Sequence, residues 1–162
     1  MKIRNGFVSN SSSSSFVVVL EKKPETPEEL KNILFGDKES ISYYDYTKTT
    51  EEASKRIFND IENYTTNPYD LVEKIVYGLD EWDVNSIDQF KKPDGNYDWN
   101  KYDKAKDQHI ENEVVPRANK FIEKYKNKFI FCTTYDDSGS DVVYERGNVF
   151  EKAVECLVIN EH

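Results

Sequence analysis

The run Phe16-Val17-Val18-Val19-Leu20 constrains this chain more than any other stretch. β-Branched residues without polar alternation do not suit a strand with one wet face; they need cover on both. Lys22, Lys23 and Pro24 stop the run. Immediately before it stand five serines, Ser11, Ser12, Ser13, Ser14 and Ser15, preceded in turn by the apolar pair Phe7-Val8. A phosphate cradle would need backbone donors converging at a helix N-terminus, usually with glycines. Here a strand follows and Gly6 stands alone. Residues 1–15 therefore read as a Ser-rich N-terminal arm, an exposed tether or turn, on a single domain spanning residues 1–162. Phe7 and Val8 would anchor that arm in a groove of the same fold or in a partner.

Downstream, helix start signals are explicit. In Thr26-Pro27-Glu28-Glu29, threonine takes the N-cap, proline the first helical position and Glu29 the capping-box position, which predicts a short helix to about Phe35, closed by Gly36. Residues 37–48 read as a loop or weak strand in which Ile41, Tyr43 and Tyr46 compete for the core. Thr49-x-x-Glu52 opens a second helix with Ala53, Ile57, Ile61 and Tyr64 on one stripe. Pro68 starts a third, with Leu71, Val72, Ile75, Val76 and Leu79 on an apolar face, and residues 80–96 carry turn chemistry. From Tyr97 to about Lys128 the pattern is helical, Trp99, Tyr102 and Ile110 falling near one side, and Pro116 must kink or divide it. Phe129–Tyr135 reads as a strand, residues 136–140 as a turn and Val142–Tyr144 as the return strand of a hairpin, with a short helix and a last strand at the tail. The fold class expected is α+β: a small antiparallel sheet, made of the N-terminal strand and the C-terminal hairpin, packed by one face against about four helices.

Charge then narrows the partners. With 31 Asp and Glu against 22 Lys and Arg, the net charge is −9, which argues against a phosphate-backbone binder and favours a partner with a basic surface. No direct nucleic-acid binding is expected, and no stretch approaches the roughly 18 apolar residues of a membrane span. Cys132 and Cys156 make neither a disulfide framework nor a C-x-x-C metal pair, which fits a reducing cytoplasm.

The stretch Lys2-Ile-Arg-Asn-Gly-Phe-Val-Ser-Asn, with the five serines and Phe16, resembles the start of a group of uncharacterised proteins of bacteriophages and mobile elements that begin I-R-x-G-F-V-S-N-S-S-S-S-S-F. The end, with YDDSGSDVVYERGNVF and a closing histidine, is similar too. The resemblance implies a phage or prophage origin in a low-GC bacterium and supplies no catalytic residues. Small acidic phage proteins often act by binding a host protein, including components of defence systems.

Candidate chemistry is sparse. Asp136, Asp137 and Asp141 give a hard-cation oxygen density to the loop Asp136–Asp141, although the spacing fails as an EF-hand and a tight turn with Gly139 at positive φ accounts for the same residues. His109 and Glu113 stand one helical turn apart without a second histidine ligand. Cys132 lies within an apolar strand, where a thiol is core rather than nucleophile. More suggestive are Tyr43, Tyr44 and Tyr46 around Asp45, and Asp80, Glu81, Trp82 and Asp83: large amphipathic side chains beside carboxylates, a composition suited to an interface facing Arg or Lys. The expectation is a protein without a cofactor that binds a host protein stoichiometrically in the host cytoplasm, most specifically to inhibit a defence component. A virion-associated structural protein and a metal-dependent enzyme are the alternatives.

Overall fold

The computed structural model describes residues 13–63, 68–79, 84–136 and 139–161. Its centre is strand β1, Ser13–Leu20, every residue of which is buried. β4 (Phe129–Asp136) and β5 (Glu155–Glu161) flank it, both antiparallel to it, in the order β4-β1-β5. Val18 stands between Phe131 and Cys156, and Val17 between Cys132 and Leu157. Successive side chains of a strand point to opposite faces, so this register sorts the core into two halves. Phe16, Val18 and Leu20 join Phe131, Leu30, Ile57 and Phe150 on one side; Val17 joins Ile75, Val114 and Ala118 on the other.

Helices cover both faces. On the first lie α1 (Pro27–Leu34), α2 (Thr50–Asn63) and the short α6 (Val142–Arg146); on the second, α3 (Pro68–Leu79) and α5 (Val115–Lys124). The α+β class therefore stands, but the one-sided layering expected from sequence does not: the sheet is the middle of three layers. The physical reason was already present in the unalternating run Phe16–Leu20, which cannot leave either face wet. At Gly78 of α3 an added Cβ would sit 3.2 Å from side-chain atoms of both Leu157 and Ile159, so this helix approaches β5 closely.

Local signals place the helix starts. Thr26 accepts from the Glu29 amide at 3.1 Å while the Glu29 carboxylate reaches back to the Glu25 amide at 2.8 Å. At α2 the exchange is fully reciprocal: the Glu52 amide donates to Thr49 Oγ1 and the Thr49 amide to Glu52 Oε2, each at 3.1 Å. Ala53, Ile57 and Ile61 form the buried stripe; Tyr64 lies outside the described residues. In α3 Ile75 and Val76 are buried, whereas Val72, expected on the apolar face, is exposed. A 3₁₀ segment, Val84–Phe90, precedes α4 (Trp99–His109), which begins at an Asp98 cap. Pro116 acts as expected: α4 passes into α5 through a π-helical turn, Ile110–Val114, where the Val115 amide donates to the Ile110 carbonyl. A proline ring collides with the preceding α-helical turn, and the wider π turn accommodates it.

Two expectations are corrected. Val142–Tyr144 is not the return strand of a hairpin but the first three residues of α6, all buried. β4 takes β1 as its partner, and Gly147 closes α6 by donating to the Val143 carbonyl at 2.9 Å, where an added Cβ would lie 2.2 Å from that oxygen. The tail has no helix before its strand; turns lead from Val149 directly into β5. The weak-strand region resolves into a two-stranded ribbon, β2 (Ser40–Tyr43) paired with β3 (Tyr46–Thr49).

Candidate interaction surface

Antiparallel pairing of Tyr43 with Tyr46 leaves only Tyr44 and Asp45 to turn the β2–β3 ribbon. Tyr44 takes φ = 49°, the left-handed region that costs a residue with a Cβ about 1–2 kcal/mol. Of the three tyrosines expected to compete for burial or contact, Tyr43 alone is partly buried against the core. Its ring meets that of Tyr44 edge-on at 4.7 Å, and Arg146 of α6 hydrogen-bonds its side chain. That bond, with the neighbouring Glu145 carboxylate, holds the Arg146 guanidinium above its ordinary pKa. Tyr44 is 86% exposed and Tyr46 45% exposed, with Asp45 exposed between them. The ribbon thus holds one aromatic as a footing and presents two others, with a carboxylate, to solvent. A rigid, amphipathic, exposed tyrosine pair has the composition of binding hot spots.

A second aromatic surface lies where the sequence pattern sets Trp99 and Tyr102 near one side of a helix. Trp99 is 55% exposed and α4 buries no residue. Tyr97 and Trp99 lie 5.6 Å apart, Trp99 and Tyr102 5.9 Å, and Phe90 and Tyr102 5.5 Å, so four rings make a continuous exposed-to-half-buried cluster. The composition of α4 contained the signal: WNKYDKAKDQH has too few apolar residues for a core helix.

The serines occupy a different role from the one expected. Ser13, Ser14 and Ser15 are buried strand residues, so the arm cannot extend to residue 15. Central strands have partners on both sides, and the three serines continue the β1 ladders to Asp136 and Glu161. The hydroxyls of Ser14 and Ser15 are satisfied: Ser14 donates to Glu145 Oε1 at 2.7 Å, and Ser15 lies 2.7 Å from Thr134 Oγ1 and accepts from Lys74 Nζ at 3.2 Å. The Glu145 side chain is only 5% exposed and also receives Arg146 Nε at 3.4 Å. Phe7, Val8, Ser11 and Ser12 lie outside the described residues, as do Asp80, Glu81, Trp82 and Asp83.

The acidic loop does not gather a cation site among the described residues, which hold no group of three or more His, Cys, Asp or Glu placed for a metal. Asp136 ends β4 exposed, Asp137 is outside the described residues, and Asp141 faces the Arg56 guanidinium at 3.9 Å. Gly139 takes the positive φ expected of it, 60°. Arg56 also reaches Asp60 at 3.4 Å, and Asp60 accepts from the buried Tyr135 hydroxyl at 2.9 Å. Burial first, then the Asp60 charge, pushes the Tyr135 phenol well above its ordinary pKa, so this cluster is a structural strut rather than an acid–base pair. His109 Nδ1 stands 3.6 Å from Glu113 across one helical turn, as the spacing predicts. Cys156 is pushed up to about 12 by burial and the Glu155 charge, which makes its thiol a poor nucleophile.

Among the described residues no helix is long and apolar enough to cross a membrane. No family model, curated protein or solved structure matches the chain.

Proposed function

We propose that this chain acts by stoichiometric binding of a host protein with a basic surface, and in its most specific form inhibits a component of bacterial defence in the host cytoplasm. The observation that carries the reading is Tyr44: a tyrosine 86% exposed at a hairpin tip, in a backbone conformation that an asparagine or glycine would adopt more cheaply. A side chain kept there against local backbone preference is supported by a role outside the fold. The net charge of −9 favours encounter with a cationic surface, and the resemblance of both chain ends to phage and mobile-element proteins supports the choice of target class.

The test is affinity capture with the tagged chain from phage-infected and uninfected lysates of a low-GC bacterial host, followed by mass spectrometry. A single host protein retained in stoichiometric amount, and lost with Tyr44→Ala and Tyr46→Ala together, is the expected result. Retention that the double variant leaves unchanged removes the ribbon from the interface. Retention of virion proteins alone transfers the chain to the structural class.

A further inference from the structure

A two-stranded ribbon is marginally stable by itself, so the ties between β2–β3 and the body decide how steadily Tyr44 and Tyr46 are presented. Along β2 alternate residues face inward. Ile41 is buried in the core, and Tyr43, two residues on, is the last side chain of β2 packed against it before the turn. Beyond Ile41, the tip depends on what holds Tyr43. The Tyr43 hydroxyl accepts from Arg146, since a guanidinium can only donate. Arg146 is itself anchored: its Nε donates to Glu145 Oε2 at 3.4 Å, while Glu145 Oε1 accepts from Ser14 of the central strand at 2.7 Å. The Glu145 side chain is 5% exposed and that of Arg146 47%, so the pair runs from the sheet to the surface. The backbone that carries both is fixed, because Val142, Val143 and Tyr144 are buried and the Gly147 amide closes on the Val143 carbonyl. Ser14, Glu145, Arg146 and Tyr43 thus make one line of hydrogen bonds from the middle strand to the foot of the exposed tyrosines, and the edge-on contact of Tyr43 with Tyr44 continues it.

Resting on the reading of the ribbon as the binding surface, we propose that Arg146 is a positioning residue for that surface, and that Glu145, held by Ser14, fixes Arg146 in turn. The three set the direction in which Tyr44 and Tyr46 point without themselves contacting the partner. Supporting residues of this kind act by locking the geometry of the groups that do make contact. Lysine is no substitute for the arginine, because an ammonium on a flexible stem lacks the planar fork with which the guanidinium serves Glu145 and Tyr43 at once.

Amide hydrogen exchange of the full chain, followed residue by residue by NMR across residues 40–49, tests this with no partner in hand. Tyr43→Phe keeps the ring and removes the acceptor; Arg146→Lys keeps the charge and removes the fork. Each is expected to speed exchange in the ribbon about three- to tenfold while the β1 amides and the melting temperature stay as in the parent. The two together are expected to do no more than either alone, because they cut the same link. Glu145→Gln, which still accepts from Ser14 but loses the charge facing Arg146, is expected to have a smaller effect in the same direction. Unchanged ribbon exchange in both Tyr43→Phe and Arg146→Lys overturns the proposal. So do fully additive effects, or faster exchange spread equally over β1, which makes Arg146 a support of the whole fold. Capture from host lysate separates this inference from the reading beneath it. Host capture lost with Tyr44→Ala and Tyr46→Ala but untouched by Arg146→Lys would sink the positioning role while leaving the binding function standing. Ribbon exchange speeded as expected, in a chain that captures no host protein, would do the reverse.

Discussion

β1 and the β2–β3 ribbon invert the usual assignment of residues to inside and outside. In β1 three serines are buried beside valines; in the ribbon Tyr44 and Tyr46 face water. Side-chain polarity alone did not decide burial in either place. β1 is central in its sheet and covered on both faces, so anything in it is inside, and Ser14 and Ser15 are tolerated because their hydroxyls find Glu145, Thr134 and Lys74. The ribbon has two strands and touches the body chiefly through α6 and α2, so its tip has nothing to be buried against. What the contrast teaches is that connectivity in the sheet ranks above hydropathy when the two conflict. It also separates the molecule into a part where substitutions should act on stability and a part where they should act on binding.

The contrast is most easily broken in the core. Phe131, opposite Val18 and packed against Phe150, should cost about 3–5 kcal/mol when cut to alanine, read as a fall in the midpoint of urea unfolding. A smaller loss would mean that the sheet is less tightly covered than its burial implies. Next, Ser14→Ala removes the donor to a nearly buried carboxylate and should cost about 1–3 kcal/mol. Its counterpart in the ribbon, Ser42→Ala, breaks an exposed hydroxyl contact with Thr47 and should stay within about 0.5 kcal/mol of the parent. Equal costs for the two serines would erase the distinction between the regions.

At the junction of ribbon and body, Thr49→Ala should cost about 1 kcal/mol by uncapping α2. The Thr49 amide, then its hydroxyl, hold the Glu52 carboxyl below the ordinary carboxylate range. A depressed value in the folded state means that this contribution is present above the unfolded value and is lost as pH falls through the folded one. The acid side of a melting-temperature profile should therefore be shallower in Glu52→Gln than in the parent. The smallest effect on stability sharpens the comparison most: Tyr44→Asn should leave the fold unchanged or raise it by up to about 1 kcal/mol, because asparagine accepts positive φ, while reducing capture of the partner. A Tyr44→Asn chain that melts lower and binds normally would make the tyrosine a structural residue.

Much of the local architecture was legible in the linear chain. The caps at Thr26 and Thr49, the proline starts at Pro27 and Pro68, and the break forced by Pro116 all appear where local chemistry puts them. These features involve partners within three to five residues, so no knowledge of the fold is needed to read them. For the candidate surface, the tyrosine cluster was visible as composition, but its division into a footing, Tyr43, and a presented pair, Tyr44 and Tyr46, was not. The helical spacing of Trp99 and Tyr102 was legible too, but that their helix buries nothing was not.

By itself, the sequence determined that a doubly covered strand lies at residues 16–20, that helices begin at its capping boxes, and that the surface is acidic. Only the tertiary structure decided that β4 and β5 both pair with β1, that Val142–Tyr144 coil into α6, and that Ser13–Ser15 lie inside while Tyr44 lies outside. The reason is range. A cap or a proline acts on its own turn, whereas strand pairing joins positions more than a hundred residues apart, such as Ser14 with Tyr135 and Asn160, and burial is a property of the layers that pairing assembles.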